Sequence, residues 1–351
     1  MSLLQNLSYE DYQQALTFSK EKCEIIAELA NLKITLDDTN KPGEKLIKYL
    51  YRRGYSAAQY KQFLSNSQQV KTIVTYYKPQ SKIAILIANS SYNDLSKLAT
   101  PSVDCDSLAA SLKNLGFIVL TLKNTLSSEL QNILVKMVDV IPEDSYCFIF
   151  YAGHGCELCN TKCMLCIDCP TENIEMKHCV TENFVLKEVE RCKPDLCIFI
   201  MDMCRMNLDR CSNPKMFEAL ANIEDYTIHS NLLVVYSTQS SAYEVLQIEC
   251  STTIDANVTY ELKTGDTDKI LPGSSQYVNA LCTRLGDDLD ISNLLDKVHG
   301  DVEKSFRKQR PIKVQCGVAK RSLYDPVKGN VAAVLAKVKD ETKEFKNAVI
   351  F

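Results

Sequence analysis

Hydrophobic and polar positions in the first part of the chain follow a helical period. Apolar residues recur at helical spacing from Tyr12 to Leu32, and Pro42-Gly43 marks a break before the next amphipathic stretch. Gly54 is placed to end that second helix, and the polar stretch SNSQQVKT follows a third. We therefore predict a small helical region over residues 1–68 and a linker over residues 69–80.

From Lys82 onward the pattern changes to short apolar runs that alternate with amphipathic stretches. The runs KIAILIAN, FIVLTLKN, YCFIFY, LCIFIMD and LLVVYST are typical of strands that are buried on both faces. Helical patterns separate most of these runs, which predicts βαβ units and a sheet whose strands are mostly parallel. With IKVQCGV as a further strand candidate, we predict an α/β fold in which helices cover both faces of a six-stranded sheet.

Composition and charge narrow the classes of function. The 351 residues include 46% hydrophobic and 24% charged positions, which is enough for one large folded domain and an accessory region. The net charge of −4 argues against nucleic acid as a partner, because phosphate binding favours a basic surface. No apolar run reaches the length of a membrane span, and the N-terminus lacks the pattern of a secretory signal. We therefore expect no membrane partner and a cytoplasmic location.

Two of the predicted strands end in residues that can carry nucleophilic catalysis. One strand leads to His154 and the other to Cys204, and groups at the carboxyl ends of parallel strands share one edge of the sheet. If the strands are neighbours, the imidazole can lower the pKa of the thiol and later protonate a leaving amine. The N–H groups of Gly155 and Cys204 could then hold the oxyanion.

The motifs at these two positions resemble those of a known family. Tyr151-Ala152-Gly153-His154-Gly155 and Asp202-Met203-Cys204-Arg205 resemble the histidine and cysteine motifs of paracaspases, which are caspase-like cysteine proteases. The resemblance extends from Lys82 to Val327 and implies a caspase-like three-layer αβα sandwich. It implies a peptidase domain over residues 81–309, with a large part at about 81–220 and a small part at about 228–309, followed by a C-terminal extension over 310–351. It also implies an endopeptidase of intracellular signalling that needs no cofactor.

Acidic residues near the same edge indicate the substrate. Asp202 lies two positions before the cysteine and Asp104 near the start of the helix after the first strand, so both would attract a basic P1 side chain. The resemblance implies that these acids line an arginine-binding S1 pocket. Paracaspases have a third acid on the loop after LLVVYST, where this chain has Ser241 with Glu244 a few residues away. We therefore predict cleavage after arginine and leave open how strongly arginine is preferred over lysine.

A cluster of cysteines follows His154. Cys156, Cys159, Cys163, Cys166 and Cys169 form closely spaced pairs that resemble zinc ligands, but the segment between the pairs is shorter than in most such sites. Redox sensitivity and plain buried thiols are the alternatives. We predict no metal site and leave the role of the cluster open.

The helical region and the small part of the peptidase domain indicate which partners to expect. The stretch KPGEKLIKYLYRRGYSAAQYKQFL resembles the later helices of a death-fold domain, which implies death-fold or CARD-type adaptors; an unrelated helical extension is the alternative. Caspase-type folds pair through the small part, so we expect a homodimer through LLVVYST and its surroundings. The alternatives for function are a calcium-dependent metacaspase-like protease and a signalling scaffold whose protease activity is dispensable.

Overall fold

The chain folds as two compact units, Met1–Tyr76 and Tyr77–Phe351. The computed structural model describes residues 7–18, 20–30, 41–72, 77–158, 160–206, 208–220, 230–238, 273–305 and 309–351. Among these residues, no helix combines the length and the apolar character that crossing a membrane requires.

The first unit consists of helices: α1 (Tyr9–Leu16), α2 (Lys20–Leu29), α3 (Pro42–Arg52) and α4 (Ala57–Thr72). Their buried side chains form one core, which includes Ile26, Leu46, Ile47, Leu50 and Tyr60. Gly54 follows α3 with φ of +76°, a conformation that favours glycine and ends the helix there. Helix α4 continues into the segment predicted as a linker, because its sequence contains no glycine or proline that would end it.

The second unit is built on one large sheet. Its strands are β1 (Lys82–Ala88), β2 (Ile118–Lys123), β3 (Tyr146–Leu158), β4 (Thr161–Leu165), β5 (Cys179–Thr181), β6 (Leu196–Met206), β7 (Leu232–Tyr236), β8 (Ile312–Cys316) and β9 (Ala348–Ile350). The order is β8-β7-β6-β3-β1-β2-β9, and the five strands from β7 to β2 are parallel. β8 and β9 join the two ends of this order as antiparallel strands.

Helices cover both faces of the sheet. They are α5 (Pro101–Asn114), α6 (Ser127–Val140), α7 (Glu182–Glu190), α8 (Pro214–Leu220), α9 (Gln276–Arg284), α10 (Ile291–Ser305) and α11 (Val331–Thr342). Alternate side chains of β3 belong to opposite cores: Phe148 and Phe150 pack with α5, α9 and α10, whereas Ile149 and Tyr151 pack with α6, α7 and α11. This arrangement confirms the predicted three-layer αβα sandwich.

The sheet contains the six predicted strands and three others. β3 does not end at the histidine motif but continues to Leu158, because β4 pairs with it as an antiparallel hairpin from Gly155↔Met164 to Leu158↔Thr161. β5 extends this hairpin through β4. Residues 310–351, which we predicted as an extension, supply β8, α11 and β9 and so complete both ends of the sheet.

The edge of the sheet opposite His154 is closed by a polar and aromatic cluster. Arg321 pairs with Asp195, and its guanidinium lies 3.9 Å from the centre of the Tyr77 ring. Tyr77 in turn stacks on Tyr146, whose hydroxyl donates to Asp325 at 2.5 Å. These contacts fasten the segment after β8 to the amino ends of the central strands.

Candidate active site

His154 and Cys204 lie opposite each other on neighbouring strands. They are Cα partners in the parallel ladder between β3 and β6, where adjacent strands lie about 4.8 Å apart. The structure describes Cys204 by its backbone and places it two residues after Asp202 on β6. The register of the backbone thus sets these two residues side by side, and their role as a catalytic dyad stays a prediction.

The imidazole of His154 is held by the segment that follows β1. The side chain is 6% exposed, and its Nε2 lies 2.8 Å from the backbone oxygen of Ser96. A carbonyl oxygen only accepts hydrogen bonds, so Nε2 carries the hydrogen in the neutral ring. Nδ1 is then the nitrogen that can take a proton from a thiol.

Two tyrosines fix the backbone on either side of this imidazole. The Tyr92 hydroxyl accepts the backbone N–H of His154 at 2.7 Å, and the Tyr92 ring lies 4.6 Å from the imidazole. The Tyr151 hydroxyl donates to the backbone oxygen of His154. A Cβ at Gly153 would lie 2.5 Å and 2.6 Å from the hydroxyl oxygens of Tyr151 and Tyr92. Glycine is therefore required before the histidine because both hydroxyls occupy the space of a side chain.

The two acids predicted for the S1 pocket lie together and are fully buried. Asp104 on α5 and Asp202 on β6 are both 0% exposed, and both bind to Ser275, which precedes α9. The backbone N–H of Ser275 donates to Asp104 Oδ1 at 2.7 Å, and its hydroxyl donates to Asp202 Oδ2 at 2.7 Å. No lysine or arginine in the described parts of the chain lies within salt-bridge distance of Asp104.

Burial makes it costly for these acids to be charged together. It raises the pKa of Asp104 well above its usual value, and the neighbouring charge of Asp202 raises this pKa further. Burial also raises the pKa of Asp202, although hydrogen bonds from Ser237 and Ser275 favour its carboxylate form. The pair therefore retains a proton more readily than isolated aspartates do, and a bound cation would favour its release.

Of the other predicted site residues, Gly155 lies within the described part of the chain, whereas Ser241 and Glu244 do not. Gly155 lies inside β3, in register with Arg205 of β6 and with Met164 of β4. Its role in an oxyanion hole, with that of the Cys204 N–H, stays a prediction. Ser241 and Glu244 lie outside the described residues.

The cysteine cluster forms part of the hydrophobic core around the β3–β4 hairpin. Cys156 and Cys163 are cross-strand partners, and Cys179 of β5 packs with them in one cluster. Contact with the Cys156 thiol and burial hold the pKa of Cys163 well above its usual value, and burial raises that of Cys169 to about 12. No group of three or more potential ligands among the described residues could hold a metal ion; Cys159 is not one of these residues. In this arrangement the described thiols pack as small apolar side chains, and the absence of a metal site stays a prediction.

Several residues that support the site carry little or no signal in the sequence. Ser275 could have been found as the N-cap of the helix pattern QYVNAL, but nothing local relates it to the acids. Tyr92 and Ser96 lie in a segment without periodicity after β1, and no pattern there indicates contact with His154.

Comparison with known proteins supplies the family. The family model described as caspase domain (Peptidase_C14) matches residues 81–322. Mucosa-associated lymphoid tissue lymphoma translocation protein 1 of Homo sapiens is 26% identical over 253 residues, which are 71% of this chain and 27% of that protein. Its homolog in Mus musculus is 26% identical over 264 residues, which are 74% of this chain and 28% of that protein. The chain thus spans about a quarter of the length of these relatives.

Among solved structures, caspase-1 from Spodoptera frugiperda is similar to this chain at 16% identity. The superposition has a TM-score of 0.46 and covers 73% of this chain and 94% of that structure. The match to the family model extends over most of the region in which the motifs resemble paracaspases.

Proposed function

Because the chain belongs to the caspase-domain family of cysteine peptidases, we propose that it is a paracaspase-type endopeptidase that cleaves proteins after arginine. The observation that carries this proposal is the pairing of His154 with Cys204 across β3 and β6. A histidine and a cysteine at this separation suit a dyad, in which the thiolate is the nucleophile.

The reaction starts with transfer of the Cys204 thiol proton to Nδ1 of His154. The hydrogen bond from Nε2 to the Ser96 carbonyl orients the ring for this transfer and stabilises the imidazolium that forms. The thiolate attacks the scissile carbonyl carbon, and the N–H groups of Gly155 and Cys204 hold the resulting oxyanion. His154 then returns the proton to the leaving amine, and water hydrolyses the thioester in the second half of the reaction.

Asp104 and Asp202 determine which peptide bond is cleaved. A guanidinium offers donors in a planar fork and can engage both carboxylates, whereas an ammonium acts as a point charge. The buried position of both acids supports this role, because a bound cation removes the cost of charging them. An aspartate at P1 would be repelled.

We propose that the active form is a homodimer. We also propose that the protein acts in intracellular signalling and that its helical unit binds death-fold or CARD-type adaptors. Within LLVVYST and its surroundings, β7 has partners on both sides, and β8 is the outermost strand at this end of the described sheet. We therefore place the proposed pairing of two copies at β8.

Matched peptides test the proposed cleavage. Four fluorogenic peptides that differ only at P1, with arginine, citrulline, lysine or aspartate, are incubated with the full chain with and without calcium. We expect cleavage of the arginine peptide, weaker cleavage of the lysine peptide, and none of the other two, because citrulline keeps the shape of arginine without its charge. Cys204→Ala should lower kcat on the order of 10⁶-fold.

Cys211→Ala is the control for this variant, since Cys211 is an exposed cysteine outside the two strands that carry the dyad. This control should retain wild-type activity. Cleavage after aspartate would contradict the pocket assignment, strict dependence on calcium would favour the metacaspase alternative, and the absence of any cleavage by dimeric protein would favour the scaffold.

A further inference from the structure

We propose that Ser275 is a positioning residue that holds Asp104 and Asp202 at the separation at which a single guanidinium can engage both. The inference rests on the proposed function, since it concerns the selectivity of the same pocket. Ser275 lies 171 residues from Asp104 and 73 from Asp202 in the chain, yet it is bonded to both.

One residue supplies both hydrogen bonds, each from a different group. The backbone N–H of Ser275 donates to Asp104, and the side-chain hydroxyl donates to Asp202, both at 2.7 Å. The same hydroxyl oxygen accepts the N–H of Val278 at 3.2 Å and so caps α9. The serine is 3% exposed, and its backbone oxygen also accepts the N–H of Asn279 at 3.0 Å, so four hydrogen bonds hold it in place.

Oδ2 of Asp104 is buried and has no hydrogen-bond partner within the described part of the chain, although Oδ1 of the same carboxyl accepts from Ser275. Buried polar atoms are usually hydrogen-bonded, so this oxygen indicates a site that a polar ligand completes. Asp104 Oδ2 in particular needs a donor, and a guanidinium carries five N–H groups.

The two hydrogen bonds set how the acids face the ligand. With Oδ1 of Asp104 and Oδ2 of Asp202 bound to one serine, the two carboxylates are held at a fixed separation, and Oδ2 of Asp104 is left to accept from the P1 side chain beside the charge of Asp202. A planar fork depends on this separation more than an ammonium does, because an ammonium can approach either acid from several directions. Loss of the hydroxyl should therefore weaken arginine binding more than lysine binding.

Substitution of Ser275 in the full chain tests this inference with the arginine and lysine peptides. Ser275→Ala removes the hydroxyl and keeps the backbone donor to Asp104. We expect KM for the arginine peptide to rise about 10-fold, the range expected when a charge-assisted hydrogen bond is lost. We expect kcat to change less than about 2-fold, since the dyad is untouched. Ser275→Thr retains the hydroxyl and should restore the wild-type KM.

Thr181→Ala separates this role from plain helix capping. Thr181 caps α7 through a bond from Phe184 N–H at 3.2 Å, so its loss costs a cap of the same kind without contact to either acid. We expect this control to leave the ratio of kcat/KM for arginine to that for lysine unchanged. An equal rise of KM for both peptides in Ser275→Ala, or an unchanged arginine KM, would overturn the inference.

Binding without turnover distinguishes this inference from the proposed function. The uncleaved arginine peptide is titrated by calorimetry into Cys204→Ala and into Cys204→Ala with Ser275→Ala. A weaker arginine affinity in the double variant supports the role of Ser275 even if the wild type proves unable to cleave. Equal affinities in the two proteins contradict it even if arginine cleavage is observed.

Discussion

Asp104 and Asp106 lie two positions apart on α5 but differ in chemistry. Asp104 is fully buried beside Asp202, whereas Asp106 is exposed and pairs with Lys123 at 2.7 Å. Burial raises the pKa of Asp104 well above its ordinary value. Residue type alone therefore does not determine function here; the loss of water around one of two aspartates does.

Asp104→Asn should stabilise the protein and impair cleavage. A carboxyl whose pKa is raised in the folded state supports folding at low pH, and this support is lost as the pH rises through the folded pKa. Asparagine stays uncharged at every pH, so the variant avoids the cost of a buried charge at high pH. We therefore expect Tm to rise by roughly 2–4 °C at pH 8 and by less at pH 5. Arginine cleavage should fall, because one of the two acids no longer carries charge. Thermal unfolding by circular dichroism at both pH values measures the effect on Tm.

Asp106→Asn on the same helix is the control for this substitution. Its exposed ion pair contributes little, so we expect Tm and arginine cleavage close to wild type at both pH values. A Tm of Asp104→Asn that lies below wild type at pH 8 would show that the charged acid stabilises the fold.

At the scale of elements, the two ends of the sheet differ from its centre. β1 is buried along its whole length, whereas β8 exposes Ile312 and Val314, and β9 exposes Val349. An edge strand presents unpaired backbone groups, which makes it suitable for pairing with a second copy. β8 and β9 are therefore alternative surfaces for a dimer, and we propose that two copies pair through β8.

Val314→Lys should separate the proposed dimer. In an isologous interface each copy contributes the same residue, so the new charges face each other and repel. We expect sedimentation velocity to show a monomer and peptide cleavage to fall with the loss of the dimer. Val349→Lys places the same charge on β9 and should leave the dimer intact. The opposite pattern would assign the interface to β9.

At the scale of the whole molecule, each unit has its own core. The first core contains residues from Leu7 to Tyr60, while the buried residues of the sheet clusters all follow position 82. The family match starts at residue 81 and so leaves out Tyr77, which stacks on Tyr146 and lies against Arg321. The boundary given by the contacts is thus more informative for stability than the boundary of the family match.

A chain of residues 77–351 should fold and retain arginine cleavage, whereas residues 82–351 should be less stable. The second chain lacks the ring of Tyr77, whose stacking and cation–π contacts are worth about 1–2 kcal/mol together, and it also lacks Ser81, which is hydrogen-bonded to Ser145. Urea unfolding compares the two chains. Tyr77→Ala in the longer chain removes the ring alone and should show the part of the loss that belongs to the ring, and an unchanged stability of Tyr77→Ala would assign no role to the stack.

Much of the fold and part of the candidate site could be predicted from local patterns. Continuous apolar runs are distinctive because a strand buried on both faces has no polar side, so β1, β2, β3, β6 and β7 were all found. The motifs around His154 and Cys204 are short, so they could be recognised in the sequence directly. The paracaspase resemblance that they carry is confirmed by the family match and by the similarity to the mammalian relatives. The short strands β5 and β9 were missed, because three residues carry too little pattern.

Tertiary structure alone decided which distant residues complete the site. The contacts of Ser96 with His154 and of Ser275 with Asp104 join segments 58 and 171 residues apart, and no repeat or spacing in the sequence relates such segments. The extension of β3 to Leu158 likewise depends on a partner strand. The sequence by itself determined the layers and indicated the candidate reactive residues, because hydrophobic period and residue chemistry are properties of short stretches. The hydrogen bonds from Ser275 to the acids, the tautomer of the imidazole and the order of the strands arise only when the chain is packed, because each depends on the position of a second segment.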